Sequence, residues 1–272
     1  MHYVRRSEQP SLLTEHQHEW TTPWLAYFEW QQSSDIERPK KPTTAHWLKE
    51  QIRRPLIRDF QNNCGYCGEV LPTPMSFESK LNCDVVSWLS KGDVDHFWPK
   101  ATYPERVYQW FNYIWCCKPC NQHKREFSSK VASLLNPCVA EDCKGVFFDS
   151  STGRYCLTAK LVNDLNWQQR LDNSQLYTML NADEICHRRS HEIMTLQDRF
   201  ISLDESIKTI NLLGGGLLTG AADVIEKQQR SQKKDIAAIG RVLKYPAYKR
   251  LITAQYQLLL QQFPAVKSVL AG

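Results

Sequence analysis

No run of eighteen apolar residues occurs in the chain, so no helix is expected to span a membrane. The first residues, Met1-His2-Tyr3-Val4-Arg5-Arg6-Ser7-Glu8, lack an apolar stretch of the kind a secretory signal needs, and the expected compartment is the cytoplasm. Cysteine is too scarce for a disulfide scaffold: ten in 272 residues is about 4%, against the roughly 8–10% such chains carry. Charge of one sign is also in short supply, with 34 Lys and Arg against 29 Asp and Glu, a net of +5. That balance permits a nucleic-acid partner without demanding one. At 42% hydrophobic and 23% charged residues the composition excludes a disordered or fibrous chain, and the length suits one or two domains. A chain this long buries a full core without staples, so its cysteines need another purpose, and in a reducing compartment clustered cysteines more often hold metal than each other.

The pattern along the chain is of an α+β protein. Residues 1–60 read as an N-terminal helical extension, residues 61–137 as a compact core, and residues 138–272 as a β-hairpin followed by helices. In the first segment the spacing of Trp20, Trp24, Phe28 and Trp30 predicts a short amphipathic helix, and Arg38-Pro39-Lys40-Lys41-Pro42 reads as a linker. Thr43-Thr44 is expected to cap a helix through Trp47, Leu48, Ile52, Leu56, Ile57 and Phe60, kinked or broken at Pro55. Seven Lys and Arg against one Glu between residues 38 and 58 mark either a solvated face or one turned to phosphate. Gly145–Asp149, Ser150–Gly153 and Arg154–Leu157 predict a strand, turn and strand of the hairpin. Helices are expected from Asp183 and on both sides of Tyr245-Pro246, with Gly214-Gly215-Gly216 as a loop or hinge. No internal repeat is present.

Two C-x-x-C units, Cys64-Gly65-Tyr66-Cys67 and Cys117-Lys118-Pro119-Cys120, stand out. Each turn presents two thiolates to one ion, and Zn²⁺ takes four in a tetrahedron. Gly65, Gly68 and Pro119 suit such tight turns. Cys116 is an alternative to Cys117, but only Cys117 keeps the spacing to Cys120. A redox pair or buried thiols are the competing assignments. Cys138, Cys143, Cys156 and the Cys186, His187, His191 group are expected to be packing or idle thiols rather than a second metal site, and Cys83 has no assigned role.

Between the knuckles lies Asp93-Val94-Asp95-His96-Phe97-Trp98-Pro99-Lys100, a short strand stopped by proline. A second strand is expected over Trp110–Cys116, and a helix opens after Pro119. Strand, loop, strand and helix clamped by zinc is the order of a ββα-metal site. Hydrolysis of a phosphodiester needs a base and positive charge near the phosphoryl group. His96 titrates near neutrality and is the natural base. Asp95 and Asn121 offer oxygen ligands to a hard ion such as Mg²⁺ or Mn²⁺. Lys124, on the helical face of Asn121, and Lys100 are expected to hold phosphate as point charges. Asp93, on the face of Asp95, reads as a solvated carboxylate, and His123 points away from Asn121. A non-catalytic zinc module that binds nucleic acid or scaffolds a partner is the alternative.

The run Asp95-His96-x-x-Pro99, then Asn112, then Cys117-x-x-Cys120-Asn121-x-x-Lys124 resembles the zinc-stapled HNH endonucleases. Together with Trp110-x-Asn112-x-x-x-Cys116-Cys117, Leu134-Leu135-Asn136-Pro137 and Leu180-Asn181-Ala182-Asp183-Glu184, it is similar to the PtuB-type HNH subunit of Septu and related retron anti-phage systems. The likeness covers residues 64–137, with a weaker echo to about 200. It implies a structural zinc on the four cysteines, a catalytic ion on Asp95 and Asn121, and His96 as base. It further implies Asn112 as the brace of the two strands, DNA as substrate, and an ATPase partner in a defence complex. Asn121 stands where many HNH proteins have histidine.

Overall fold

The computed structural model describes residues 1–33, 37, 39–71, 92–129, 132–214, 221–244 and 246–271. Arg38, Cys83, Gly215, Gly216 and Tyr245 lie outside the described residues. The chain divides into two compact units: residues 1–148 with 155–182, and residues 149–154 with 183–272.

In the first unit, helix α1 (Ser11–Gln32) starts after Pro10 and buries Leu13, Trp24, Tyr27 and Phe28. Trp24 stacks on Phe28 and leans on Trp47, so the expected amphipathic helix is present and longer than its aromatic spacing implied. Helix α2 (Glu50–Asp59) buries Ile52, Leu56 and Ile57 and leaves Arg58 outside. The interruption in this region falls at Lys49 rather than at the proline. His46–Leu48 form a 3₁₀ turn, Lys49 is extended, and α2 then runs through Pro55 to Asp59. Pro55 lacks only the N–H that would have reached back to Gln51. Thr43 accepts from the Ala45 N–H just ahead of the turn, and neither the turn nor α2 has a side-chain cap. After α2, Gln61 and Asn62 both take positive φ, and the Asn62 N–H bonds the Ile57 carbonyl, reversing the chain into the first knuckle.

Strands β1 (Gly92–His96) and β2 (Tyr113–Cys117) pair antiparallel, with Asp95 opposite Ile114 and His96 opposite Tyr113. Trp110–Asn112, expected as strand, is a 3₁₀ turn that leads into β2. Helix α3 (Lys118–Lys124) follows β2 with no loop between them, its amide at Cys120 donating to the Cys117 sulfur. The element order is therefore β, β, α. Arg6 reaches from the N-terminal segment to this hairpin. Its guanidinium donates to the Tyr113 and Trp110 carbonyls at 2.6 and 3.1 Å, pairs with Asp59, and lies over the Trp110 ring.

Helix α4 (Ala140–Lys144) precedes the expected hairpin of β3 (Val146–Asp149) and β4 (Arg154–Leu157). Helix α5 (Leu165–Tyr177) is capped by Asp164 and lies in the stretch expected to be helical after the hairpin, where the sequence places no individual helix. Its inward face mixes Trp167 and Leu171, packed in the core, with two buried polar residues: Asn173 donates to the Ala132 carbonyl, and Ser174 accepts from the Leu135 amide, so the apolar period is short.

The second unit is helical: α6 (Asp183–Gly214), α7 (Ala221–Lys244), α8 (Lys249–Gln262) and α9 (Pro264–Ala271). Arg199 and Ser202 bond Asp235, while Ser206 bonds Gln228, a pairing that runs α6 and α7 antiparallel. Phe200 packs against Tyr256 and Phe263 in a core with Ile193, Leu196, Leu203 and Ile252. No helix among the described residues is long and apolar enough to cross a membrane.

Candidate metal centre and adjoining cleft

The knuckles are built by backbone turns. The Gly68 N–H bonds the Cys64 carbonyl, with Gly68 at φ +77°, where a side chain would be strained. The Gly65 N–H bonds the Trp115 carbonyl, and a Cβ at Gly65 would meet Phe60 and Ile114 at 2.6 and 2.7 Å, so the first knuckle lies flat on β2.

The thiol sulfurs of Cys64, Cys67, Cys117 and Cys120 are buried and all lie within 4.8 Å of one another. Tetrahedral bonds of 2.3 Å to zinc put sulfurs about 3.8 Å apart. Cys67 and Cys117 stand at 3.8 Å. Burial pushes the Cys64 thiol up, but hydrogen bonds from Cys117, Cys120 and Cys67 outweigh it and hold Cys64 well below its ordinary value. Cys67 and Cys120 are pushed well above theirs, first through their bonds to Cys117. Four thiolates cannot coexist in this space without a cation, so the tetrad fits a divalent metal such as zinc. The Met179 N–H adds a bond to the Cys120 sulfur. Cys116 faces away from the tetrad, toward the Asp93 carbonyl, and among the described residues no second cluster of this kind forms.

Beside the tetrad is a cleft of about 170 Å³ lined by Trp47, Val94, Asp95, His96, Pro99, Lys100, Asn121, Arg125 and Glu126. Asp95, His96, Lys100 and Asn121 are thus brought together. His96 is buried between the Trp47 and Tyr113 rings, both edge-on, with centroids at 4.8 and 5.3 Å. Its Nε2 lies 3.0 Å from the Val107 carbonyl, which can only accept. The proton is therefore on Nε2, and Nδ1 keeps its lone pair. Burial, reinforced by the Lys100 charge, lowers the imidazole pKa to about 3, against a smaller opposing pull from Val107. The ring is neutral at neutral pH.

Asn112 is buried and clamps the loop after β1. Its Oδ1 accepts from the Trp98 amide at 2.7 Å, and its Nδ2 donates to the Trp98 and Arg106 carbonyls. This fastens the loop that supplies Val107 to His96.

Asp95 is 6% exposed. The Tyr66 hydroxyl donates to Oδ2 at 2.6 Å, and the Lys124 ammonium lies 3.3 Å from Oδ1 and 3.0 Å from Oδ2. Burial holds the Asp95 carboxyl above its ordinary range, an effect that Lys124 and then Tyr66 only partly offset. Lys124 is 1% exposed and also donates to the His96 carbonyl at 2.7 Å. The phosphate role expected for Lys124 does not fit this position, because its charge is turned inward to Asp95. Lys100 is part-exposed at the rim and pairs with Glu126 at 3.3 Å. Asn121 donates through Nδ2 to Asp93 at 3.0 Å, leaving Oδ1 available as an oxygen ligand. Asp93, expected to be a solvated carboxylate, is this partner. His123 is exposed on α3.

Sequence reasoning missed Tyr66, Trp47 and Arg125. Tyr66 was visible only as the filler of a knuckle, and Trp47 only as part of an apolar stripe. Arg125 follows the last residue of α3 with φ +48°, a conformation uncommon outside glycine, which brings it to the cleft lining.

The chain is similar to a Septu protein. It is 32% identical over 114 residues to the Septu protein PtuB of Bacillus thuringiensis, an alignment covering 42% of this chain and 37% of that relative. The chain thus spans little more than a third of the curated relative it matches. No family model matches it, and no solved structure matches it.

Proposed function

We propose that the chain is a metal-dependent HNH endonuclease that hydrolyses phosphodiester bonds in DNA, with a ββα-metal core formed by β1, β2 and α3. The observation that carries this is the convergence of His96, Asp95, Asn121 and Lys100 on one cleft beside the cysteine tetrad. His96 presents a neutral Nδ1, oriented by the Val107 carbonyl, and takes the proton of the attacking water. The water oxygen bonds phosphorus as the bond to the leaving sugar oxygen breaks. Lys100 and Arg125 supply positive charge where the phosphoryl oxygens gather it. Asp95 and the Oδ1 of Asn121 are the hard oxygen donors that would hold Mg²⁺ or Mn²⁺, with waters and substrate phosphate as the remaining ligands. When bound, that ion would neutralise charge on the phosphate and leaving oxygen. The cysteine tetrad would hold zinc in a structural role, since four protein ligands leave no open position.

The alternative, a non-catalytic zinc module, gains from one observation: Lys124 and Tyr66 already satisfy much of the Asp95 carboxylate. A His96→Ala variant separates the two. It should retain zinc and fold but lose plasmid nicking in Mg²⁺ or Mn²⁺ by about 10²–10⁴-fold. Nicking at the wild-type rate would defeat the nuclease assignment. The likeness to a Septu protein supports a role as nuclease effector of an anti-phage complex with an ATPase subunit. Co-purification tests that role: full activity of the chain alone, with or without the ATPase, would remove it.

A further inference from the structure

We propose that Tyr66 is a positioning residue that ties the Asp95 carboxylate to the cysteine tetrad, with Lys124 as the buried counter-charge. This deepens the nuclease assignment and rests on it where catalysis is concerned.

Tyr66 stands between Cys64 and Cys67, so both of its flanking turns are fixed by tetrad residues. The ring is 3% exposed, and its hydroxyl donates to Asp95 at 2.6 Å, the short distance expected of a bond to an ionised acceptor. A buried tyrosine needs only some acceptor, and a backbone carbonyl would serve. The acceptor here is the one carboxylate of β1 that also lines the cleft.

Lys124 completes the arrangement from the opposite end. It is the last residue of α3, the helix that begins at the second knuckle, and its ammonium touches both Asp95 oxygens and the His96 carbonyl. Each knuckle therefore sends one side chain to Asp95, Tyr66 from the first and Lys124 from the second. A carboxylate has about four lone-pair sites. Tyr66 takes one of these and Lys124 two, which leaves about one to a cation in the cleft. Asp95 is held as a ligand of set direction, and its direction follows the seating of the tetrad.

The test uses the zinc-loaded full chain and Mn²⁺ as the probe, titrated by calorimetry, with zinc content measured on each variant. Tyr66→Phe keeps the ring and removes only the hydroxyl. It should retain one zinc per chain while the Kd for Mn²⁺ rises about 10- to 100-fold, the usual cost of losing a group that orients a ligand. The kcat for DNA should fall with KM little changed. An Mn²⁺ affinity within about twofold of wild type would overturn the proposal. Asp95→Ala serves as the reference and should abolish Mn²⁺ binding.

If the wild type itself takes no Mn²⁺, the nuclease assignment loses its metal, and the tether is judged by a thermal double-mutant cycle. The drop in Tm caused by Tyr66→Phe should largely vanish in an Asp95→Ala background, which leaves the hydroxyl no acceptor at this position. A drop of the same size in both backgrounds would overturn the tether.

Discussion

The cysteine tetrad and the cleft beside it are built on opposite plans. The tetrad is four copies of one ligand type, supplied by two local turns, and every member does the same thing. The cleft is assembled from unlike groups on β1, the loop after β1, α3 and the residues after it, and the 3₁₀ turn before α2, and its polar groups have different partners. Losing one thiol degrades a site of equals. Losing one cleft residue leaves a different defect each time, set by what that residue was holding.

That contrast orders four expected outcomes. Cys117→Ser should be the most severe, removing a metal ligand and a helix-capping sulfur together. Zinc should be lost and the first unit should unfold or become protease-sensitive, since binding energies of about 10–16 kcal/mol are typical of structural zinc. Retention of zinc and of cooperative unfolding would show that the tetrad is not a metal staple.

Lys124→Ala should come next, at about 3–5 kcal/mol of stability, because it leaves Asp95 buried and unpaired. Lys124→Ala with Asp95→Asn should recover part of that loss. A cost below about 1 kcal/mol, measured by denaturant unfolding, would mean that Lys124 swings out to solvent and is a phosphate ligand after all.

His96 should set a pH dependence. Its folded pKa is near 3, against an ordinary 6.5. Above pH 6.5 both folded and unfolded chains carry a neutral ring, and His96 adds no slope. As pH falls below 6.5 the unfolded chain takes a proton that the folded chain refuses, so stability falls toward pH 3. The slope from this residue is about 1.4 kcal/mol per pH unit. His96→Asn should flatten the wild-type curve by that amount between about pH 4 and 6; parallel curves would contradict the burial.

The smallest effect on stability belongs to the rim. Glu126→Gln should change it by less than about 1 kcal/mol, because the Lys100–Glu126 pair is partly exposed. If Lys100 serves the substrate, the same change should lower KM for DNA by releasing its charge. A raised KM would place Glu126 among the groups that hold substrate or metal.

The sequence expectations held where chemistry and spacing coincide locally. Two C-x-x-C units made one tetrad, the hairpin of β3 and β4 lies where its alternation placed it, and the helix beginning near Asp183 is there. Expectations drifted where proline or polarity was weighed alone. Pro55 sits inside α2 because the helix loses one hydrogen bond and keeps its packed face. Helix α5 fell in a stretch expected to be helical but was not placed by itself, because beside Trp167 and Leu171 its buried face holds Asn173 and Ser174, which bury themselves by bonding backbone. Lys124 shares a helical face with Asn121, as its spacing requires, yet that face turns into the protein at Lys124 and toward the cleft at Asn121.

By itself the sequence determined which atoms could bind metal and in what order β1, β2 and α3 would follow. Ligand type and short-range spacing are properties of the chain, and they survive any arrangement of the rest. The tertiary structure alone decided which charges are spent and which remain. Asp95 meets Lys124 and Tyr66, and His96 loses its ordinary pKa between Trp47 and Tyr113, because burial and partners come from segments up to about 50 residues away in the chain. Desolvation strengthens charge interactions and penalises unpaired charge. A lysine that looks like a phosphate ligand in the sequence thus becomes, once buried, the counter-ion of the carboxylate beside it.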